Sequence, residues 1–391
     1  DEQGVLQAFQ PHRHASFVPT ARAQGLQEAK VTMPNGDGKV PFLQPMNKEY
    51  PWFRKGDVES LPMLFLDNLS TLTGVVGAMT MGIPGIWGAA IPDDFKAAYV
   101  KMVYEKVCPG IGFSLLFGNV WYGWMARKLA GYEGRTDVTA IPYGINTPVG
   151  FAVAFGIFLP LGFKFGFEPG MTADDFANKI WCAAAMGCFV SGLLEMAGAV
   201  TGNFVRRNLS KAAIYAPIAS VGFVWLALGP LSKLGKEPII AILPLGMIFL
   251  GFFANGGRGV YGKVPAAILI IVVGTIFKWA GFGKYNPDGD IMWKTVEDSG
   301  DYIGKIGTVP FVILQGLPDI GIIMPILAPF ALQSFIETME LVEAACAVGD
   351  HYPMIEAMLV DGMGTSFGAL WGSVLPTTAY IGHTRHKKVD A

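Results

Sequence analysis

Five acidic residues stand inside long apolar runs. Asp67 lies in Leu66-Asp67-Asn68-Leu69-Ser70-Thr71, and Glu337 and Glu340 in Ser334-Phe335-Ile336-Glu337-Thr338-Met339-Glu340. Glu195 is deep in the run 178–201, and Asp361 is early in 356–375. A carboxylate at the centre of a bilayer costs roughly 2.5–3.5 kcal/mol on insertion scales, so each is a functional candidate unless neighbouring helices hydrogen-bond it. That ordinary role is the expectation for Glu195 and Asp361. Glu337 and Asp67 are the stronger site candidates. Glu340 shares a helical face with Glu337 and is read as a second site residue or a gate, while Glu343 falls nearer the end of the run. Such carboxylates accept hydrogen bonds from ring or exocyclic N–H groups and can take up a proton. Glu337, Glu340 and Asp67 are therefore the candidates for proton coupling. No nucleophile–base pair, phosphate loop or metal cluster is visible in the sequence, so catalysis, a metal and a cofactor are not expected. Cys108, Cys182, Cys188 and Cys346 fit no metal or disulfide spacing.

The rest of the chain says what must hold these residues. Of 391 residues, 52% are hydrophobic and 15% charged, the net charge is -2, and the mean hydropathy is +0.41. Soluble domains carry about 25% charged residues, so this chain could not cover its own surface with polar groups. The composition excludes a small soluble enzyme and a disordered chain. It also excludes a nucleic-acid binder, which needs a basic face. It points to an all-α polytopic membrane protein, with the lipid bilayer as its main partner.

A helix needs about 20 apolar residues to cross the hydrocarbon core. The candidate spans are 61–83, 107–126, 140–163, 178–201, 212–231, 238–254, 264–282, 320–347 and 356–375, and a tenth begins near Pro376. Residues 84–106 read as a loop or interfacial helix, and the acidic stretch 283–309 as an exposed loop. Residues 1–59 form a polar extension with His12, Arg13, His14 and the turn-like Pro34-Asn35-Gly36-Asp37-Gly38. Arginines cluster at Arg127, Arg135, Arg206, Arg207 and Arg258, in short alternate loops. By the positive-inside rule this puts the N-terminus in the cytoplasm, in a plasma or inner membrane. The chain begins at Asp1 and stops just after His383-Thr384-Arg385-His386-Lys387-Lys388. The expectation is that further C-terminal segments are missing.

Two spans cannot be plain helices. In Thr139-Ala140-Ile141-Pro142-Tyr143-Gly144-Ile145-Asn146-Thr147-Pro148, two prolines and a glycine forbid a regular helix at the front. Ile141 and Thr147 each precede a proline and are expected to be extended. Pro148 then fits the first turn of a half-length helix. Leu375-Pro376-Thr377-Thr378-Ala379-Tyr380-Ile381-Gly382-His383 has the same ingredients. Each stretch is the third span of a set, one set beginning at 61 and the other at 320. Interrupted segments at matching positions of two repeats point to a transporter's binding site. Pseudo-symmetry is expected to bring Asp67 and Glu337 together at mid-depth. The helix N-termini would donate N–H groups and the carboxylate would accept. This combination suits a polar, uncharged, planar ligand.

These residues resemble a known family. The run Ile141–Phe151 is similar to the third segment of azaguanine-like purine permeases, within the nucleobase–ascorbate (xanthine/uracil) permease family. Ile336-Glu337-Thr338-Met339 resembles that family's eighth helix, Asp361–Gly372 its ninth, and Thr377-Thr378-Ala379-Tyr380 the start of its tenth. The likeness covers about residues 60–383. It implies fourteen segments in two inverted sets of seven, and an elevator-like, H+- or Na+-coupled transporter of nucleobases. Residues 60–204 and 310–391 would supply the core domain, the second repeat being incomplete, and 205–282 the gate of the first repeat. Substrate would lie between the broken segments, near Glu337, Asp67, Tyr143, Asn146, Thr147, Thr377, Thr378 and Tyr380. A homodimer is compatible with the resemblance. Two departures leave the substrate open between purine and uracil-like bases: no acid follows Tyr380, where the sequence reads Ile381-Gly382-His383, and Glu337 stands where the azaguanine-like group tends to have aspartate. Two other readings stay in play. One is a sulfate or bicarbonate carrier of the same architecture, and the other a non-transporting membrane subunit.

Overall fold

In the computed structural model, the described residues are 40–208 except Leu43, then Phe223, 228–235, 238–250, 266–280 and 312–391. Expectations for 1–39, for the span 212–231 and for the loop 283–309 fall wholly or mostly outside them.

The described chain is helical. Four helices are long and apolar enough to cross a membrane: Asp57–Ala90 (α1), Thr147–Gly166 (α4), the Ala173–Val200 part of Ala173–Asn208 (α5), and Val312–Ala347. The last opens as a 3₁₀ turn, Val312–Asp319, and continues as α9, Ile320–Ala347. The protein is therefore a helical membrane protein. The span expected at 107–126 lies in α3, Cys108–Glu133, which a π turn joins to the short helix α2, Asp93–Met102. Of the two forms expected for residues 84–106, a loop or an interfacial helix, the stretch is largely helical, because α1 runs on to Ala90 and α2 restarts after Pro92. The expected spans 238–254 and 264–282 are represented by shorter helices, Pro238–Ile248 (α7) and Ala266–Trp279 (α8), after the one-turn α6, Gly229–Leu234. The ninth expected span is α10, Met354–Leu370.

Both spans are interrupted at their prolines, with two corrections: Thr147, expected to be extended, is the first residue of α4 because the Asn146 side chain caps the helix just before it, and α4 is a 20-residue helix and not a half-length one. Tyr143–Ile145 (β1) and Thr377–Ala379 (β2) are short strands that pair antiparallel, Tyr143 opposite Ala379 and Ile145 opposite Thr377. The pairing continues one step beyond each end: Asn146 N–H donates to the Pro376 carbonyl at 3.0 Å and Tyr380 N–H to the Pro142 carbonyl at 2.6 Å. Each proline cannot donate, so it accepts, and the residue just past the opposite strand supplies the hydrogen. The strands lead into helices of unequal length, α4 after β1 and the six-residue α11, His383–Lys388, after β2.

The helices are arranged around this crossing. α5 packs along α9 and α10, and α10 packs along α3. One apolar cluster joins the far ends of α1 and α4 with α2 and the front of α5, centred on Trp87, Tyr99, Phe158 and Phe176. A second joins α3, α9 and α10 around Tyr122, Tyr143, Phe335 and Met358. Large apolar side chains such as Phe65, Met81, Leu116, Val120 and Leu332 remain exposed on the outer faces, as lipid-facing positions do.

Candidate functional site

Asn146 sits where β1 turns into α4, and its amide is fully used. The side-chain oxygen caps α4 by accepting from Val149 N–H at 3.3 Å. The two amide hydrogens go to Ser334 Oγ at 2.8 Å and Glu337 Oε2 at 2.9 Å, both on α9. Gln333 Nε2 donates to the other Glu337 oxygen at 2.8 Å. Two amides thus hold the Glu337 carboxylate against the N-terminus of a broken-span helix, where the helix dipole favours a polar ligand. Glu337 is buried.

The other candidates divide by what they touch. Thr147 Oγ1 and Tyr380 OH both meet Thr71 Oγ1, at 3.2 and 3.1 Å. This brings α1, α4 and the segment after β2 to one point. The Tyr380 ring packs against Gly144, where any Cβ would overlap it, so the sequence needs glycine there. Tyr143 does not offer its side chain to a ligand. Its ring is buried between Gly118 and Gly364, and its hydroxyl is bonded to Thr377 Oγ1 at 2.7 Å. Thr377 is occupied as well, through Ser114 Oγ at 2.6 Å and backbone bonds with Thr365. Thr378 is turned to Asp361 at 2.9 Å. These three residues build the crossing and do not line it: Tyr143 and Thr377, on one face of the strand pair, turn toward α3 and α10, and Thr378, on the other face, turns to Asp361 of α10 and Thr338 of α9.

The expected meeting of Asp67 with Glu337 is not seen: no hydrogen bond joins them among the described residues. Asp67 stands near Tyr380 instead. Its neighbour Asn68 makes the contact with the broken span, accepting from Ile145 N–H at 3.1 Å and reaching the Tyr143 carbonyl at 3.5 Å. Asn119 on α3 donates to the same carbonyl at 3.2 Å. Glu340, one turn past Glu337, is buried, and neither of its oxygens has a hydrogen-bond partner among the described residues.

Asp361 is a bracing residue, as expected. Its carboxylate accepts from Thr338, from Thr378, from Ala379 N–H at 3.0 Å and from Tyr122 OH at 3.3 Å, tying α3, α9 and α10 to β2. The expectation for Glu195, a carboxylate satisfied by neighbouring helices, is not met. It is 2% exposed and neither oxygen has a partner among the described residues.

A second brace lies outside the spans. Asp350, in the turn after α9, is fully buried and accepts from Arg135 Nη2 and Lys387 Nζ, both at 2.8 Å, and from Thr139 N–H at 3.1 Å, with His383 Nε2 3.0 Å away. Burial alone would raise its pKa. The donors from His383, Lys387, Arg135 and Thr139 outweigh it and hold the carboxyl well below the usual carboxylate range. Asp350 thus ties the chain entering β1 to the helix leaving β2, and it fixes His383, whose role the sequence left open.

Sequence reading missed Asn68, Thr71, Ser334, Gln333 and Asp350. A signal existed for some: Asn68 and Thr71 share a helical face, and Gln333 and Ser334 lie four and three residues before Glu337. Asp350 looked like any loop acid. A separate cavity of about 820 Å³, bordered by Lys106, Asn178, Lys179, Trp181 and Asp319, contains none of the candidate site residues. Among the described residues no group of three or more His, Cys, Asp or Glu is placed to hold a metal ion. Comparison with family models, with curated proteins and with solved structures found no match to this chain.

Proposed function

We propose that the protein is a secondary transporter for nucleobases, purine- or uracil-like, driven by H+ or Na+. The observation that carries this reading is the contact of Glu337 with Asn146, at the place where two interrupted spans meet. A carboxylate held by two amides beside a helix N-terminus offers an acceptor and a set of donors a few ångströms apart. A nucleobase edge presents the complementary set, ring N–H groups beside ring carbonyls. The two proline-broken strands lie antiparallel and bond to each other's proline carbonyls, which supports the reading. An inverted-repeat transporter has interrupted segments at its mid-membrane site. In this reading Glu337, Asn146, Thr147 and Tyr380 contact substrate. Tyr143, Thr377 and Thr378 position them, and Asp67 stands at the rim near Tyr380. The core around the crossing moves as one body against the gate.

The test is uptake of labelled xanthine, uracil and sulfate by the full-length protein and by Glu337→Gln. The expected result is nucleobase uptake that the substitution reduces at least tenfold. Nucleobase uptake unchanged in Glu337→Gln removes Glu337 from the site. Sulfate uptake without nucleobase uptake replaces the reading with that of an anion carrier, and no uptake of any of the three leaves a non-transporting membrane subunit.

A further inference from the structure

Glu195, like Glu340, is a buried acidic side chain that the proposed site does not use, and of the two it is the one beside Ser334. It lies on α5, on the side packed against α9 and α10, and is 2% exposed with no hydrogen-bond partner for either oxygen among the described residues. Ser191, one turn earlier on the same face, is also buried with an unpartnered hydroxyl. At this seam α5 and α10 touch backbone to backbone. A Cβ at Gly192 would overlap the Gly362 carbonyl, and one at Gly362 would overlap the Gly192 carbonyl, so the seam is closed around the carboxyl.

Among the described residues, groups from α9, α10, β1 and α5 itself surround it. α9 presents Ser334 and, further off, Glu337; α10 presents Asp361 and Thr365. Tyr143 of β1 and Cys188 of its own helix also face it. Among the described residues the titratable neighbours are acids or neutral groups, with no lysine, arginine or histidine. An ionised carboxylate in such a place is expensive unless a cation neutralises it. The Ser334 and Thr365 hydroxyls stand beside it, outside hydrogen-bond geometry in this arrangement.

Ser334 is the link to the site. Its oxygen accepts from Asn146, and Asn146 gives its second hydrogen to Glu337. We propose that Glu195 takes up the coupling proton and that Ser334 and Asn146 transmit its charge state to Glu337; this rests on the transport reading above. When Glu195 is ionised, the Ser334 hydroxyl is free to donate to it while accepting from Asn146. When Glu195 is protonated, its own O–H donates into the Ser334 oxygen, and the serine hydrogen must turn away. The pull on the Asn146 amide, and hence the hydrogen bond left for Glu337 and a ligand, differs between the two states. The proton comes from the aqueous phase and returns to it, and no other bond is made or broken.

The test compares wild type, Glu195→Gln and Ser334→Ala, purified at full length, in two measurements. One is uracil and xanthine affinity from pH 5 to pH 8; the other is infrared difference spectroscopy of the carboxylic-acid C=O stretch over the same range. Wild type is expected to show a substrate affinity that changes at least tenfold with pH, together with a titrating C=O band. Glu195→Gln is expected to lose the band and the pH dependence. Ser334→Ala is expected to keep the band and lose the pH dependence, which covers the case that Glu195→Gln does not fold. A pH dependence and band unchanged in Glu195→Gln overturn the inference, as does a wild-type affinity that follows Na+ and not pH. A titrating band lost in Glu195→Gln, with no nucleobase binding by wild type, keeps the proton site and overturns the transport reading instead.

Discussion

At the scale of single residues, Asn146 does three jobs with one amide: it caps α4, holds Ser334 and holds Glu337. Asn146→Ser keeps a capping oxygen at little cost to the helix but loses both amide hydrogens. A hydrogen bond to a charged group contributes about 1.5–3 kcal/mol, so the fold is expected to lose about that much stability, and nucleobase affinity is expected to fall tenfold or more as Glu337 loses its orientation. Isothermal binding and a melting curve on the same sample check this. A large loss of stability with unchanged affinity would show that Asn146 serves only the fold. Gly144 gives the complementary case. Gly144→Ala sets a methyl into the Tyr380 ring, and overpacking of this kind costs typically 1–3 kcal/mol. A lowered melting temperature is expected, and a ring pushed from its place would also lose the Thr71 bond.

At the scale of elements, two braces hold the crossing from different sides. Asp350 joins the segment before β1 to α11. Its pKa is depressed in the fold, so its contribution is fully present above the unfolded value, about 4, and is lost as the pH falls toward the folded value. Asp350→Asn is expected to melt lower than wild type at pH 7, and the gap is expected to shrink as the pH drops below about 4. A gap that stays constant down to pH 3 would show that the charge is not what binds these elements. The second brace joins α3 to α10: Lys128 is fully buried, its ammonium 2.6 Å from Glu356 and over the Trp124 ring at 4.2 Å. Removing one partner of a buried pair leaves an uncompensated charge and costs about 3–5 kcal/mol. Lys128→Met alone is therefore expected to destabilise strongly, and Lys128→Met with Glu356→Leu to recover most of the loss. A double-mutant cycle on melting temperatures measures it.

At the scale of the whole molecule, four long apolar helices and exposed faces bearing Phe65, Met81, Leu116 and Leu332 call for a hydrocarbon solvent. The protein is expected to stay with the membrane fraction through alkaline carbonate washing and to need detergent for extraction. Release by carbonate would contradict the spanning assignment.

The sequence by itself determined the solvent and the breaks. Scarce charge and long apolar runs require a bilayer, and proline placement at 142, 148 and 376 forbids continuous helices there, because these are local properties of backbone and side chain. It also marked Glu337, since a carboxylate in an apolar run is costly wherever it lies. Only the tertiary structure decided the pairing. Side chains within a strand face both ways, so nothing local says that Tyr143 and Thr377 turn into the core while Asn146 turns to Glu337. Asp67 and Asn68 are neighbours in the same apolar run, and helix rotation alone decides which one meets the broken span. Asp350, Lys128 and Glu195 took their roles from residues on other elements, such as Arg135 and Lys387 for Asp350 and Glu356 for Lys128, brought together by helix packing. Hydrophobic patterning sets which face is buried, but the partner across that face exists only once the helices are assembled.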